Sequence, residues 1–366
     1  MSFITEILTY RSLSVVGLVK NAGKTETLNF ILRHLKNSGK TVAVTSIGLD
    51  GEQFDQIYGT PKPEITIYEG MIFVTAEKFF EERTFEAEML SISELQTTLG
   101  RLVTARAKTT GKVILSGAAD TFTLRKIIAQ NAALGADITI VDGATSRLSL
   151  ASPTVTDAMI LATGAALSAN IEQLVKKTAF AVSLVSLPEI AGNTQEYADA
   201  DLQSVPENLP ILQLLEKTEK GLWCIDENLE LKDLKIESSF LLKNSFDDET
   251  INILQENKML FCGGAVSDNL LEFLLMNKIA GQACNDGYKN FTIIVKDFSK
   301  LFLSPAMYSR FARKGGKIAV LHRTKLIAVT VNPTSPEGYV LNSEKLQEEL
   351  RKKIDVEVLD VKKCRM

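Results

Sequence analysis

Ser12-Leu-Ser-Val-Val-Gly17-Leu-Val-Lys-Asn-Ala-Gly23-Lys24-Thr25-Glu-Thr-Leu-Asn29 is the stretch on which the reading of this chain turns. A β-branched apolar run enters a glycine-containing loop. Gly23-Lys24-Thr25 then opens a segment whose apolar residues, Leu28, Ile31, Leu32 and Leu35, recur at helical spacing. Strand, glycine loop and helix start together form the context of a phosphate-binding loop. The backbone N–H groups of the loop and of the helix start point at an anion. A lysine there supplies a point charge for the β- and γ-phosphates, and the threonine hydroxyl can ligate magnesium. Gly17, Asn21, Ala22, Gly23, Lys24, Thr25 and Glu26 are therefore the expected contacts of a bound Mg-ATP. Five residues separate Gly17 from Gly23, where the strict pattern has four and would put its first glycine at Leu18.

Working outward, the bulk numbers bound the function. At 366 residues the chain holds one large or two ordinary domains. A hydrophobic content of 45% and a charged content of 23% are those of a globular chain. A net charge of −4 gives no support to nucleic-acid binding, and Arg351-Lys352-Lys353 reads as a solvated helix face. No apolar run reaches the length of a membrane span, and the N-terminus lacks the basic start of a secretory signal. The four cysteines are scattered, which argues for reduced thiols in a cytoplasm and against a zinc ribbon. A catalytic cysteine stays open, against the commoner buried, inert thiol. The two histidines, His34 and His322, are too few for chemistry that needs several imidazoles.

Alternating apolar strands and amphipathic helices predict a mainly parallel sheet over the first half. Strands are expected near 12–17, 41–47, 69–76, 102–107, 113–117, 138–141 and 158–163. Helices are expected near 24–37, 120–134 and 168–177, with a helical Glu-rich stretch after residue 76. Regularity is lost over 190–222 and then resumes. The division expected is a nucleotide-binding domain at 1–190, a connector or rim at 191–222 and a second α/β region at 223–366.

Two acids are candidates for the metal. Asp142 ends the apolar run Ile138–Val141; beside the phosphate-loop strand it would hold a magnesium-bound water, the alternative being a turn aspartate before Gly143. Asp50 follows the second strand and could serve the metal shell or the attacking water, or simply form an Asp-Gly turn; Glu52 is its spare. Lys24, Asp50 and Asp142 are the catalytic candidates, and Thr25, Asp50 and Asp142 the metal ligands. Arg147 could stabilise developing phosphate charge or pair with a surface acid. Gly263-Gly264 reads as a tight strand–helix turn or a second anion cradle. There is no Asn-Lys-x-Asp segment for guanine and no Asp-x-His-x-x-Gly segment for cobalamin.

The long loop resembles those of dethiobiotin synthetase and its relatives, a dimeric P-loop class. That resemblance implies an acid after the second strand near the metal, which Asp50 matches by position, and late loops such as 332–338 around the adenine. It also makes a homo-oligomer a further expectation. The class often carries a second lysine where this chain has Val19; Lys20 is one place off. More of the chain is similar to the P-loop subunit of the lysine 5,6-aminomutase reactivating factor. The likeness is carried by residues 16–29, 45–52, 112–117, 141–152 and 161–169. It covers about the first 190 residues well and the remainder more vaguely. It implies a P-loop NTPase-like α/β fold with a mainly parallel sheet flanked by helices, and a second α/β region. It also implies ATP-driven rescue of an adenosylcobalamin-dependent aminomutase, with a MutS-like reactivase subunit as partner. The competing expectation is an ATP-dependent ligase resembling dethiobiotin synthetase, for which Lys20, Thr27 and Ser46 could bind substrate.

Overall fold

The computed structural model describes residues 2–47, 64–97, 99–143, 152–190, 215–226, 230–236, 248–281, 283–284, 287–288 and 290–364. They fall into two compact units, Met1–Val182 with Lys325–Met366, and Ser183–Thr324.

The first unit is a mixed α/β layer structure around a nine-stranded sheet. Its strands are β1 (Ser12–Gly17), β2 (Val42–Ser46), β4 (Ile72–Ala76), β5 (Ala87–Thr97), β6 (Gly100–Ala107), β8 (Ile138–Asp142), β9 (Ala158–Gly164), β19 (Lys325–Asn332) and β20 (Glu357–Leu359). They lie in the order β20-β19-β9-β1-β8-β2-β4-β6-β5. Strands β20 through β4 run parallel; β6 is antiparallel to β4, and β5 to β6. Every residue of β1 and β9 is buried, as their continuous apolar runs require of strands covered on both faces. The short β3 (Ile65–Ile67) and β7 (Gly111–Val113) form a separate antiparallel ribbon.

Helix α1 (Ser2–Ile7) precedes β1, and α2 (Lys24–Leu35) follows it. Leu28, Ile31, Leu32 and Leu35 of α2 join Val15, Val44 and Ile140 in one buried cluster. A short α3 (Glu77–Glu81) follows β4. Helix α4 (Thr121–Ala133) puts Leu124 and Ile127 against Val74 and Val141. Side chains alternate along a strand, so Ile140 and Val141 mark opposite faces, and α2 and α4 sandwich the sheet. The Asp120 carboxylate caps α4 by accepting the Thr123 N–H at 2.8 Å. Helix α5 (Ile171–Val185) follows β9.

The second unit has its own five-stranded sheet, ordered β11-β10-β12-β16-β18. These are β10 (Leu222–Ile225), β11 (Leu231–Asp233), β12 (Met259–Cys262), β16 (Phe291–Val295) and β18 (Gly316–Val320). Strands β12, β16 and β18 are parallel. Two-residue pieces complete it: β13 (Val266–Ser267) with β17 (Leu301–Phe302), and β14 (Ala283–Cys284) with β15 (Gly287–Tyr288). Helices Asp268–Met276 and Pro305–Arg313 follow β13 and β17.

The linear division expected from sequence does not hold. Residues 325–366 belong to the first unit, because β19 lies between β9 and β20 in the large sheet. The second unit is therefore inserted between β9 and β19, and the region 223–366 is not one body. An apolar strand reads alike whichever sheet buries it; only the edge it pairs with decides membership. Smaller differences follow. The strand expected at 113–117 is only Gly111–Val113, and the helix expected at 168–177 runs Ile171–Val185. The Glu-rich stretch is one short helix followed by the long β5–β6 hairpin.

Candidate functional site

The carboxyl ends of β9, β1, β8 and β2 meet the start of α2, which is where open parallel sheets bind ligands. Gly23 stands at the N-cap of α2 with φ 100°, and no side chain caps the helix. Asn21 also has a positive φ, 61°. Asparagine and glycine are the residues that take this left-handed conformation at least cost. Between them, Ala22 is buried and its N–H donates to the Val19 carbonyl at 3.3 Å. The Thr27 N–H bonds the Gly23 carbonyl at 3.0 Å and is the first to close a helical turn. The amides of Lys24 and Thr25, ahead of it, project from the helix start.

Lys24 folds back over β1. A Cβ on Gly17 would stand 2.9 Å from Lys24 Cγ, so the lysine stem lies where any other residue would put its side chain. The Lys24 ammonium donates to the carbonyl of Gly143, the residue after β8. Gly143 is held in turn by its N–H, which donates to the Val15 carbonyl at 2.9 Å. A Cβ there would meet that same carbonyl at 2.7 Å.

Asp142 closes β8, the strand beside β1, in register with Val15 and with Ser46. Residues in register share a sheet face, so Asp142 and Ser46 lie on the face that carries α2. Asp142 is half-buried and Ser46 is buried. The lysine head and the acid thus converge on the same two residues of chain, 142–143.

Of the expected contacts, Gly17, Asn21, Ala22, Gly23, Lys24, Thr25 and Glu26 form one loop and helix start, and Asp142 stands beside them. Asp50, its spare Glu52, and Arg147 lie outside the described residues. Thr27 points elsewhere: it is 1% exposed, donates to the Gly23 carbonyl at 3.0 Å and meets the Thr330 hydroxyl at 2.8 Å. Gly263-Gly264 is a close approach of backbones: a Cβ on Gly263 would stand 2.9 Å from the Lys220 nitrogen. Burial pushes the Cys224 thiol up to about 12, which removes it as a nucleophile near neutral pH. His34 bonds the Phe30 carbonyl at 2.8 Å one turn back on α2, and His322 pairs with Glu216 at 3.2 Å.

Three participants were not visible as such in the sequence: Gly143 as the lysine's carbonyl partner, Gly164 and Thr330. Gly164 ends β9, and a Cβ on it would meet the Asn332 carbonyl at 2.1 Å. A glycine at or just past the end of an apolar strand, as at 164 and 143, is the signal that could have marked two of them.

The site fits a nucleotide phosphate in one respect that geometry can test. The start of α2 has no side-chain cap of its own, while at Gly17, Gly23 and Gly143 the Lys24 stem, the Asn332 Cβ and the Val15 carbonyl already stand where a Cβ would go. Among the described residues no three His, Cys, Asp or Glu side chains gather to hold a metal. A magnesium ion here would rest on Thr25, Asp142 and phosphate oxygens, as that ion's habit allows. No helix among the described residues is long and apolar enough to cross a membrane. Comparison of the chain with protein-family models and with curated proteins finds no match to either.

Proposed function

We propose that this chain is a P-loop subunit that binds and hydrolyses Mg-ATP to reactivate an adenosylcobalamin-dependent aminomutase. The single observation that carries the nucleotide half is the convergence at the start of α2. Lys24 crosses Gly17 to the Gly143 carbonyl, beside Asp142, on the strand next to β1.

In this reading the amides of Lys24 and Thr25 hold phosphate oxygens, and the dipole of α2 favours the negative charge. The Lys24 ammonium leaves the Gly143 carbonyl for the phosphates and neutralises charge as it develops. The Thr25 hydroxyl and the Asp142 carboxylate would hold a magnesium ion and its bound water; Asp50 is the further metal-shell and catalytic candidate. The bound nucleotide supplies the phosphoanhydride bond whose hydrolysis drives work on a partner.

The reactivation half rests on the sequence resemblance of residues 16–29, 45–52, 112–117, 141–152 and 161–169. ATP can drive remodelling only if the partner favours one nucleotide state over another. The MutS-like subunit and the mutase are the proposed partners, in a cytoplasm. The ligase reading has one specific support, Ser46 beside Asp142 at the strand ends.

The test begins with an aminomutase inactivated by turnover. This chain, the MutS-like subunit, ATP, magnesium and fresh adenosylcobalamin are expected to restore activity, and omission of ATP to prevent it. Full recovery without this chain, or with Lys24→Ala in its place, would remove the reactivation reading and put the ligase first.

A further inference from the structure

Asn332, the last residue of β19, lies 311 positions after the loop residue Asn21, yet it is bonded to it. Its Nδ2 donates to the Asn21 carbonyl at 3.3 Å. Its Cβ fills the space beside Gly23, where a Cβ on that glycine would stand only 2.8 Å away. Its backbone and side chain are both held: the Ala165 N–H donates to its carbonyl at 2.8 Å, and the Thr334 N–H to its side-chain Oδ1 at 3.2 Å. Two residues earlier on the same strand, the Thr330 hydroxyl meets that of Thr27, which donates to the Gly23 carbonyl. The strand therefore holds both left-handed residues of the loop, Asn21 through its carbonyl and Gly23 from two sides.

We propose that Asn332 is a positioning residue that holds the 17–25 loop in its phosphate-binding shape, with Thr330 acting on the same loop through Thr27. This rests on the nucleotide reading of the loop. The physical ground is pre-organisation: a loop with two left-handed residues has other conformations open to it, and a contact that fixes one raises affinity for the ligand that fits it. The donor and the steric contact both act on the phosphate end of the site. They are expected to matter for any ligand that presents a polyphosphate, with or without a base.

Inorganic tripolyphosphate and a non-hydrolysable ATP analogue, each with magnesium, are the probes, titrated calorimetrically against the parent, N332A, N332D and T330V. N332A is expected to weaken both probes by the same factor, roughly three- to tenfold for one hydrogen bond. N332D keeps the volume, cannot donate, and sets a carboxylate against the Asn21 carbonyl; it is expected to weaken both probes more than N332A. T330V keeps its shape and is expected to weaken both probes by less. Thermal unfolding of each variant separates loop shape from global stability, and T330V serves if the Asn332 variants do not fold. A loss confined to the ATP analogue would mean that Asn332 reads the base, and would overturn the proposal. Unchanged affinity for both probes in N332A, or in T330V if only that variant folds, would overturn it too. Failure of the parent to bind either probe would instead defeat the nucleotide reading itself.

Discussion

Two strand–glycine–helix junctions in this chain look alike in sequence and are built differently. At the first, Gly23 is left-handed and directly precedes α2, and the next residue is a lysine. At the second, the helix begins at Asp268, well after Gly263-Gly264 and past the short β13. There Gly263 lets backbones approach: its N–H donates to the Gly221 carbonyl at 3.0 Å. The first charged group on the second helix is the Asp268 carboxylate, which accepts the Ser304 N–H at 2.8 Å. Neither helix has a side-chain cap; a start that opens with an ammonium invites an anion, and one that opens with a carboxylate bonded to a neighbouring loop repels it. A glycine pair alone does not tell these apart. The distance to the helix and the charge at its first turn do.

The contrast is broken most severely at Lys24. Removing its ammonium forfeits a charge-assisted contact, and Lys24→Ala is expected to weaken ATP binding by about ten- to hundredfold. Isothermal titration with a non-hydrolysable analogue measures this; parental affinity in the variant would strip the first junction of its role.

Asp142→Asn sharpens the same side of the comparison. It keeps the shape of the strand end and removes one negative charge from where the proposed magnesium would sit. Turnover is expected to fall about tenfold or more, while nucleotide affinity stays within about threefold of the parent. Steady-state hydrolysis beside binding isotherms reports both, and parental turnover would reduce Asp142 to a turn residue.

The second junction is expected to respond only in stability. Gly263→Ala drives a methyl group into the Lys220 backbone and should destabilise the protein by about 1–3 kcal/mol in denaturant unfolding. A Cβ on Gly264 would meet nothing within 4 Å, so Gly264→Ala should change stability by no more than about 0.5 kcal/mol. ATP affinity should be parental in both. A loss of affinity in either variant would make the two junctions alike after all.

The first junction was legible because its information is local. Apolar spacing over 28–35 fixes a helix, Gly23 fixes a left-handed cap, and Ser12–Val16 can only be a buried strand. Asp142 was legible for the same reason, as an acid ending an apolar run. The second junction reads in sequence as a tight strand–helix turn, but β13 stands between its glycines and the helix, and the Lys220 backbone that Gly263 meets comes from a segment about forty residues earlier. Ser46, Thr27 and Lys20 look interchangeable as hydroxyl or amine donors near the loop. The register of β2 with β8 brings Ser46 to Asp142, whereas the packing of α2 turns Thr27 towards β19.

By itself the sequence determined the strand–loop–helix start, the lysine and threonine at its tip, the acid at the end of β8 and the alternating α/β pattern. Each follows from contacts within about one helical turn or one strand, where propensity and spacing act directly. Tertiary structure alone decided that residues 325–366 return to the first sheet, that a second unit is inserted before them, and that Asn332 and Thr330 close on the loop. Those outcomes depend on which buried edge each strand pairs with. Hydrophobic burial is non-directional and equally served by many pairings, so edge choice is set by the packing of the whole chain.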